Sequence, residues 1–539
     1  MRFGRLEIDP AVNPAVLDTV TWDPERARQM VGSVEPSYWR EVHEALVEGH
    51  SVPSHRTCRA YRGSYARRGE TVSFLTGMSD GQYVFAEMAG RHDDSGFGTP
   101  IQVTALSGDV RLMLYAADSV TIRRYVGTLR PDKGPRAMGA APRLGIGTRM
   151  STSVWPGMWR AMDECNFCAN AIQNSVRELN LLEDVLAGRP ARSNYLYGFG
   201  TLHEGHTGST FEGLWVAGVI EALKTDTQPV YGADADHITV RRGPGGVDRA
   251  KRVIDAARDY TFYTLDVSDM VDYAAVTASG PDGERLIDKY SVALDVVEEL
   301  SSYIRWLKGE TPFDLELSID ECPPQMDATW CLTTETELAF LIRELRRRRI
   351  PLTHIAPNVG IVKGQDYQGA DGLTGLENRI RRLHEIAAEH GVMLDFHSGD
   401  DLRGAARQAI GRATNGHNHF KVSPSLQVVF GEVLHEFDPQ RFQFWWEDTL
   451  AYARREASAG SEFAAQCLRQ YESSDNPAPA PHHAVFHHYN FASVGRRNAD
   501  GQFVHREKFY DLPPEFYRRY DERIKDFLCA VASDVFDHR

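Results

Sequence analysis

Hydrophobic and polar positions change their rhythm along the chain. Up to about residue 135, short runs of strand composition such as Val72–Leu75 and Tyr83–Met88 are separated by Gly, Asp and Ser turns. Ser107-Gly108-Asp109 leads into Val110–Tyr115, which reads as a hairpin partner, and Arg130–Pro135 reads as a linker. From about residue 140, short apolar β-type runs alternate with longer stretches of helical periodicity, among them Ser291–Lys308 and Glu335–Arg349. The runs are Arg143–Gly147, Phe167–Gln173, Pro229–Asp234, Thr261–Asp266, Leu315–Asp320, Leu352–Pro357, Gly391–His397 and His419–Val422. Eight strand-plus-helix units predict an α/β fold, a (β/α)8 TIM-type barrel. An open doubly wound sheet is the alternative, but no Gly-rich phosphate turn follows the first strand. The expected organisation is a small β-rich N-terminal domain over 1–135, a catalytic barrel over 140–440 and a helical C-terminal extension over 441–539. The Pro-rich loop Asn476–Pro481 interrupts that extension.

Composition narrows the class. The 539 residues include 60 basic and 75 acidic side chains, a formal charge of −15 that repels nucleic acid and anionic lipid. A hydrophobic fraction of 42% supports a sizeable core and excludes a mostly disordered chain. Charged residues break every apolar run short of the roughly 18 residues a membrane span needs. The start, Met1–Glu7, has no apolar segment of secretory type. Seven scattered cysteines, an odd number, are unlike a disulfide framework. Cys165 and Cys168 read as buried thiols, since no second pair stands at zinc-ribbon spacing. A cytoplasmic globular protein with no nucleic-acid or membrane partner is expected.

The chemistry gathers at strand ends. The third run continues into Asp234-Ala235-Asp236-His237, the fourth ends in Asp266, the fifth in Asp320-Glu321 and the seventh in His397, followed by Asp400-Asp401. The eighth is framed by His417, His419 and Lys421. In a barrel the C-terminal strand ends meet around one mouth, so these residues converge despite their separation in sequence. Imidazoles with carboxylates suit a divalent metal ion such as Zn, Mn, Ni or Co, and a catalytic site keeps a coordination position open. The plain alternative is structural: a strand-end Asp, Asp320 included, can be no more than the N-cap of the next helix.

Other motifs weigh less. His203-Glu204-Gly205-His206 is one residue short of the metalloprotease H-E-x-x-H pattern. It sits in a Gly-rich loop, 203–213, that reads either as a lid over the mouth or as a surface loop. His483 and His487 share a helix face and read as a surface or subunit contact more readily than as metal ligands. The run Arg346–Arg349 complements a helix C-terminus.

Taken in order, these residues resemble the tagaturonate epimerase family of hexuronate catabolism. Gly232-Ala233-Asp234-Ala235-Asp236-His237 is similar to its G-A-D-A-D-H, and Gln173–Glu178 resembles Q-Q-S-I-R-E. Thr261–Asp266 resembles T-F-F-T-I-D, and Glu316–Glu321 resembles E-V-S-V-D-E. His397-Ser398-Gly399 with Asp401 is similar to H-S-G-S-D-K, His419-Phe420-Lys421 to H-x-K-T-A-G, and Arg143–Ile146 to the end of D-R-L-G-L. The matches run from about 140 to 430. Leu402 stands where the family has Lys, and Val422-Ser423-Pro424 replaces T-A-G. These departures touch substrate contacts rather than the metal.

The resemblance implies a metal-dependent isomerase that inverts a carbinol carbon of a ketohexonate such as tagaturonate or fructuronate, or of a related ketose. Retro-aldol cleavage with re-addition and metal-assisted deprotonation both remain open as routes. The ion is assigned to His237, His397 and His419, with Asp236 as fourth ligand or orienter. Glu321 is the expected acid/base group, with Glu178 or Asp266 as its partner. Arg177, Lys421 and Asp401 are expected to hold substrate, although Lys421 also reads as a structural ion pair. The expected partner is a small sugar acid or ketose, and a homo-oligomer is left open. A sugar isomerase or aldolase on the same ligands is the alternative, and so is a non-catalytic carbohydrate-binding barrel.

Overall fold

The computed structural model describes residues 2–3, 6–7 and 24–537, apart from 80–81, 91–95, 175–183, 185–186, 188, 191–193, 197–199, 203–208, 276–282, 324–329, 363, 474–477, 500–502 and 511. Its centre is a closed parallel barrel of eight strands in sequential order. They are β1 (Arg143–Gly147), β2 (Cys168–Asn174), β3 (Tyr231–Thr239), β4 (Phe262–Asp266), β5 (Asp314–Ser318), β6 (His354–Ala356), β7 (Met393–Phe396) and β8 (His419–Val422). The fold class expected from the alternating pattern is the one observed. Outward positions such as Leu144, Ile146, Tyr263, Leu265, Leu315 and Leu317 are buried in the shell between strands and helices.

Ahead of the barrel, five antiparallel strands form a sheet in the order 58–68, 71–78, 83–89, 110–116, 102–107. A helix over Pro36–Glu48, not anticipated from the sequence, buries Tyr38, Trp39 and Val42 in a cluster that includes Phe74 of this sheet. From the N-terminal region Phe85, Tyr125 and Leu75 join the main core. Arg123 pairs with Asp259 at 2.8 Å, tying this region to the barrel's outer shell.

The closing helix α2 (Pro514–Phe536) packs along α1 (Trp155–Cys165). Gly157 permits the approach, since a Cβ there would lie 2.8 Å from the Asp521 carbonyl oxygen. A disulfide joins Cys165 to Cys529 across 364 residues of sequence. This corrects the thiol reading of Cys165, while Cys168 on β2 is free. Among the described residues no helix is long and apolar enough to cross a membrane.

Candidate functional site

TIM-type barrels ordinarily fill their interior with branched apolar side chains. Here the interior is charged. At its floor Arg143 pairs with Asp314 at 3.0 Å, and the Asp314 carboxylate accepts from the backbone N–H groups of Met138 and Gly139, both at 2.9 Å. The segment just before β1 is thereby held against the open end of the barrel.

One level up lies Lys421. Its ammonium donates to Asp236 Oδ1 at 2.8 Å, Thr264 Oγ1 at 3.0 Å and Glu316 Oε2 at 2.8 Å. Asp234 and Asp395 each bring an oxygen to 3.3 Å. An ammonium has only three protons, and all three are committed to the protein. The substrate contact expected of Lys421 is therefore not what its geometry provides; the ion-pair reading is. Gly145 makes room for it, because a Cβ there would lie 2.6 Å from Lys421 Cγ and 3.0 Å from His419 Nε2.

One ammonium cannot balance four carboxylates, and the protons redistribute. Burial lifts the Asp234 carboxyl to about 8, helped by Asp236 and Glu316 and opposed by Lys421. Burial and the Glu316 charge hold Asp395 well above the ordinary range. Burial acts on Glu316 in the same sense, but Lys421 and His397 outweigh it and keep this carboxylate well below its usual value.

At the mouth, a bulge decides the geometry. Ala235 pairs with Tyr263 and Ile238 with Leu265, so Asp236 and His237 together stand opposite Thr264. His237 takes φ +49, a conformation that non-glycine residues seldom adopt. Strict alternation would send one of these two side chains outward. The bulge instead turns both inward, where the His237 ring meets that of His397 edge to face, 4.5 Å between centroids. His397 directly follows β7, and the next residue, Ser398, is again left-handed at φ +58. Two strained residues flanking one group are a common mark of a functional site.

Asp236, His237 and His397 each offer a ligand atom, all within 4.8 Å of one another. Carboxylates brace both rings: Asp266 Oδ2 lies 3.5 Å from His237 Nδ1, and Glu316 Oε1 lies 2.8 Å from His397 Nε2. On the other side of the His397 ring, Asp320 Oδ2 lies 3.1 Å from Nδ1. Burial disfavours charge on His397, but Asp320 and Glu316 prevail over it and over Lys421, raising its pKa well above the usual imidazole value. Burial likewise opposes the Asp236 carboxylate, yet His237, Lys421 and His397 draw it down to about 2.

The remaining expected residues divide. His419 does not join the mouth group. It is fully buried at the start of β8, with Nδ1 2.7 Å from Asp395 Oδ2, in a separate group with Glu316 and Asp395. Asp266 is fully buried; its carboxylate accepts from Thr239 Oγ1 and the Ser268 N–H, at 3.0 and 3.1 Å, which leaves it a partner of His237 rather than an open base. Glu321 follows Asp320 and is half-buried at the mouth. Asp401 accepts from the Gly364 N–H at 2.8 Å and faces His487. Arg177, Glu178 and the His203–His206 loop lie outside the described residues. Glu316, Asp395 and Asp234 were not singled out as site residues from the sequence, although Glu316 and Asp234 stand inside the quoted motifs.

Residues 274–443 match the sequence model of the UxaE tagaturonate epimerase family. That span carries Glu316, Asp320, Glu321, His397, Asp401, His419 and Lys421; Asp236 and His237 precede it. The native structure of fructuronate-tagaturonate epimerase from Cohnella laeviribosi superposes with a TM-score of 0.62 at 16% identity, over 92% of this chain and 99% of that one. A form of the same enzyme complexed with two glycerols gives 0.61 at 18% identity, over 93% and 98%. At such identities the likeness shows a shared fold. No curated protein matches the chain. The family resemblance read from the motifs is thus borne out by the family match, and the enzyme class it implies, an epimerase, is that of the family.

Proposed function

We propose that this protein is a divalent-metal-dependent epimerase of a ketohexonate of the tagaturonate and fructuronate type. The observation that carries this reading is the bulge-driven convergence of Asp236 and His237 on His397 at the barrel mouth. The residues fit a cation. Nδ1 of His397 is buried without a hydrogen bond of good geometry, and with Asp266 at Nδ1 of His237 the other ring nitrogen, Nε2, is the one that faces Asp236, at 3.9 Å. The acidic groups around them also exceed the positive charge that Lys421 supplies. Asp236, His237 and His397 would hold the ion, with Asp320 beside them as a further oxygen donor. When bound, an ion of the Zn, Mn, Ni or Co class polarises the substrate's oxygens as a Lewis acid.

The chain's own groups do the rest. Glu316 and Asp266 orient the two imidazoles and raise their basicity. Lys421 holds Asp236 from below and keeps the carboxylates of the interior from repelling one another. Glu321 is assigned the proton transfer, since it is a half-buried carboxylate adjoining Asp320. Glu178 is assigned as its counterpart and Arg177 as a clamp on the sugar-acid carboxylate. Either route, retro-aldol or deprotonation, needs such a group within reach of a substrate hydroxyl or C–H.

The test is incubation of metal-loaded enzyme with tagaturonate, followed by NMR. Conversion to fructuronate that EDTA abolishes, and that His397→Ala lowers at least 100-fold, supports the reading. A metal-replete wild type inert on both ketohexonates contradicts it.

A further inference from the structure

The loop after β7 carries a second group of metal-type donors, outside the site described above. Asp401 closes the short turn Gly399–Asp401, and two histidines reach it from the helix Ala484–Tyr489 in the C-terminal region. One ligand atom from each of Asp401, His487 and His488 lies within 4.8 Å of the others. The sequence spacing puts His483 and His487 on one helix face, read as a surface or subunit contact. The structure instead turns His483 to the helix start, where its Nδ1 accepts from the Val485 N–H at 3.2 Å.

Three features set this trio apart from an ordinary His–Asp pair. Nε2 of His487 is a buried nitrogen 3.3 Å from Asp401 Oδ1, but the two are not aligned as a good hydrogen bond. A nitrogen and an oxygen this close but poorly aligned for a hydrogen bond can serve as two donors to one centre. Next, Oδ2 of Asp401 is fixed by the Gly364 N–H at 2.8 Å, so the carboxylate is already oriented and its other oxygen faces the histidines. Lastly, the His487 and His488 rings stand edge to face, 4.6 Å between centroids, and Phe463 packs on His488 at 4.9 Å. Gly364, at φ +84, keeps the space open: a Cβ there would press on His488 Nε2 at 3.1 Å.

We infer that Asp401, His487 and His488 form a second divalent-cation site of the zinc class, which clamps the C-terminal helical region to the loop following β7. Two imidazoles and a carboxylate match the donor preference of Zn, Co or Ni over Mg or Ca. Because the donors come from elements about 86 residues apart in sequence, an ion bound here stabilises the docked arrangement by linkage.

The test counts bound ion in full-length protein. Wild type, His397→Ala, His487→Ala and His488→Gln are loaded with ZnCl2, gel-filtered and assayed by ICP mass spectrometry, with circular dichroism to check folding. Two equivalents in wild type and one in each single variant is the expected result. As a second readout, CoCl2-loaded His397→Ala shows visible absorption bands that His397→Ala/His488→Gln lacks. One equivalent in wild type that His397→Ala removes would overturn the proposal. So would a count that His487→Ala and His488→Gln leave unchanged. One equivalent that survives His397→Ala but not His488→Gln would uphold this site and count against the one at the mouth.

Discussion

Glu316 Oε1 stands 2.8 Å from His397 Nε2, while the other oxygen of the same carboxylate accepts from Lys421 at 2.8 Å. A proton on Nε2 donated to Glu316 fixes the ring so that Nδ1 faces Asp320 and the mouth group, where a bound cation would take the place of the Nδ1 proton. The carboxylate thereby links the charged interior to the ligand set. Glu316→Gln keeps the volume and loses the charge, so metal affinity should fall by about 10–100-fold with the fold intact. Competition titration with a chromogenic chelator measures it; unchanged affinity would sever Glu316 from the site.

Lys421 Nζ lies within 3.3 Å of an oxygen of each of Asp234, Asp236, Glu316 and Asp395. Lys421→Met takes this counter-charge from the buried, ionised Asp236 and Glu316. Removing one partner of a buried ion pair costs about 3–5 kcal/mol, and urea denaturation of this variant should show a loss of that order. A cost below about 1 kcal/mol would mean that Lys421 is not what balances Asp236 and Glu316.

Gly145→Ala tests the same interior by crowding it. The added methyl would press on Lys421 Cγ at 2.6 Å and Ile172 Cδ1 at 2.7 Å. Overpacking of this kind costs about 1–3 kcal/mol. Because the displaced side chain supports Asp236, epimerase turnover should drop along with stability; a stable variant of full activity would show that Lys421 has slack.

Much of this was legible from residue order. Runs ending in Asp236-His237, Asp266, Asp320 and His397 placed the mouth, because barrel strands bring their C-terminal ends together. Depth within the barrel was not legible. His419 and Lys421 share a strand face, yet only the register of β8 against β1, His419 with Arg143, sets His419 at the buried floor. The bulge at His237 was hidden too, since strict alternation in Gly232–His237 predicts an outward ring. Asp320 could be read as a helix cap, and the Cys165–Cys529 link spans too much sequence for spacing to reveal.

Asp521 on α2 gives a pH signature remote from the site. Burial, aided by Glu221 and Glu522 against Arg160 and Lys224, raises its carboxyl to about 7. The folded chain then holds a proton that the unfolded chain releases near pH 4, so stability declines as pH rises from about 4 to 7. Asp521→Asn removes that decline. The variant should be more stable than wild type by about 1 kcal/mol or more at pH 8, with the gap closing toward pH 4. Thermal melts across that range decide it, and parallel curves would contradict the shift.

The most direct test of the account is zinc retained at the mouth by His397→Ala against His419→Ala, both made in a His488→Gln background so that only this site is counted. His397→Ala is expected to lose the ion while His419→Ala keeps it, with whatever stability His419→Ala forfeits. Loss of the ion in His419→Ala with retention in His397→Ala would move the metal to the barrel floor and contradict the site.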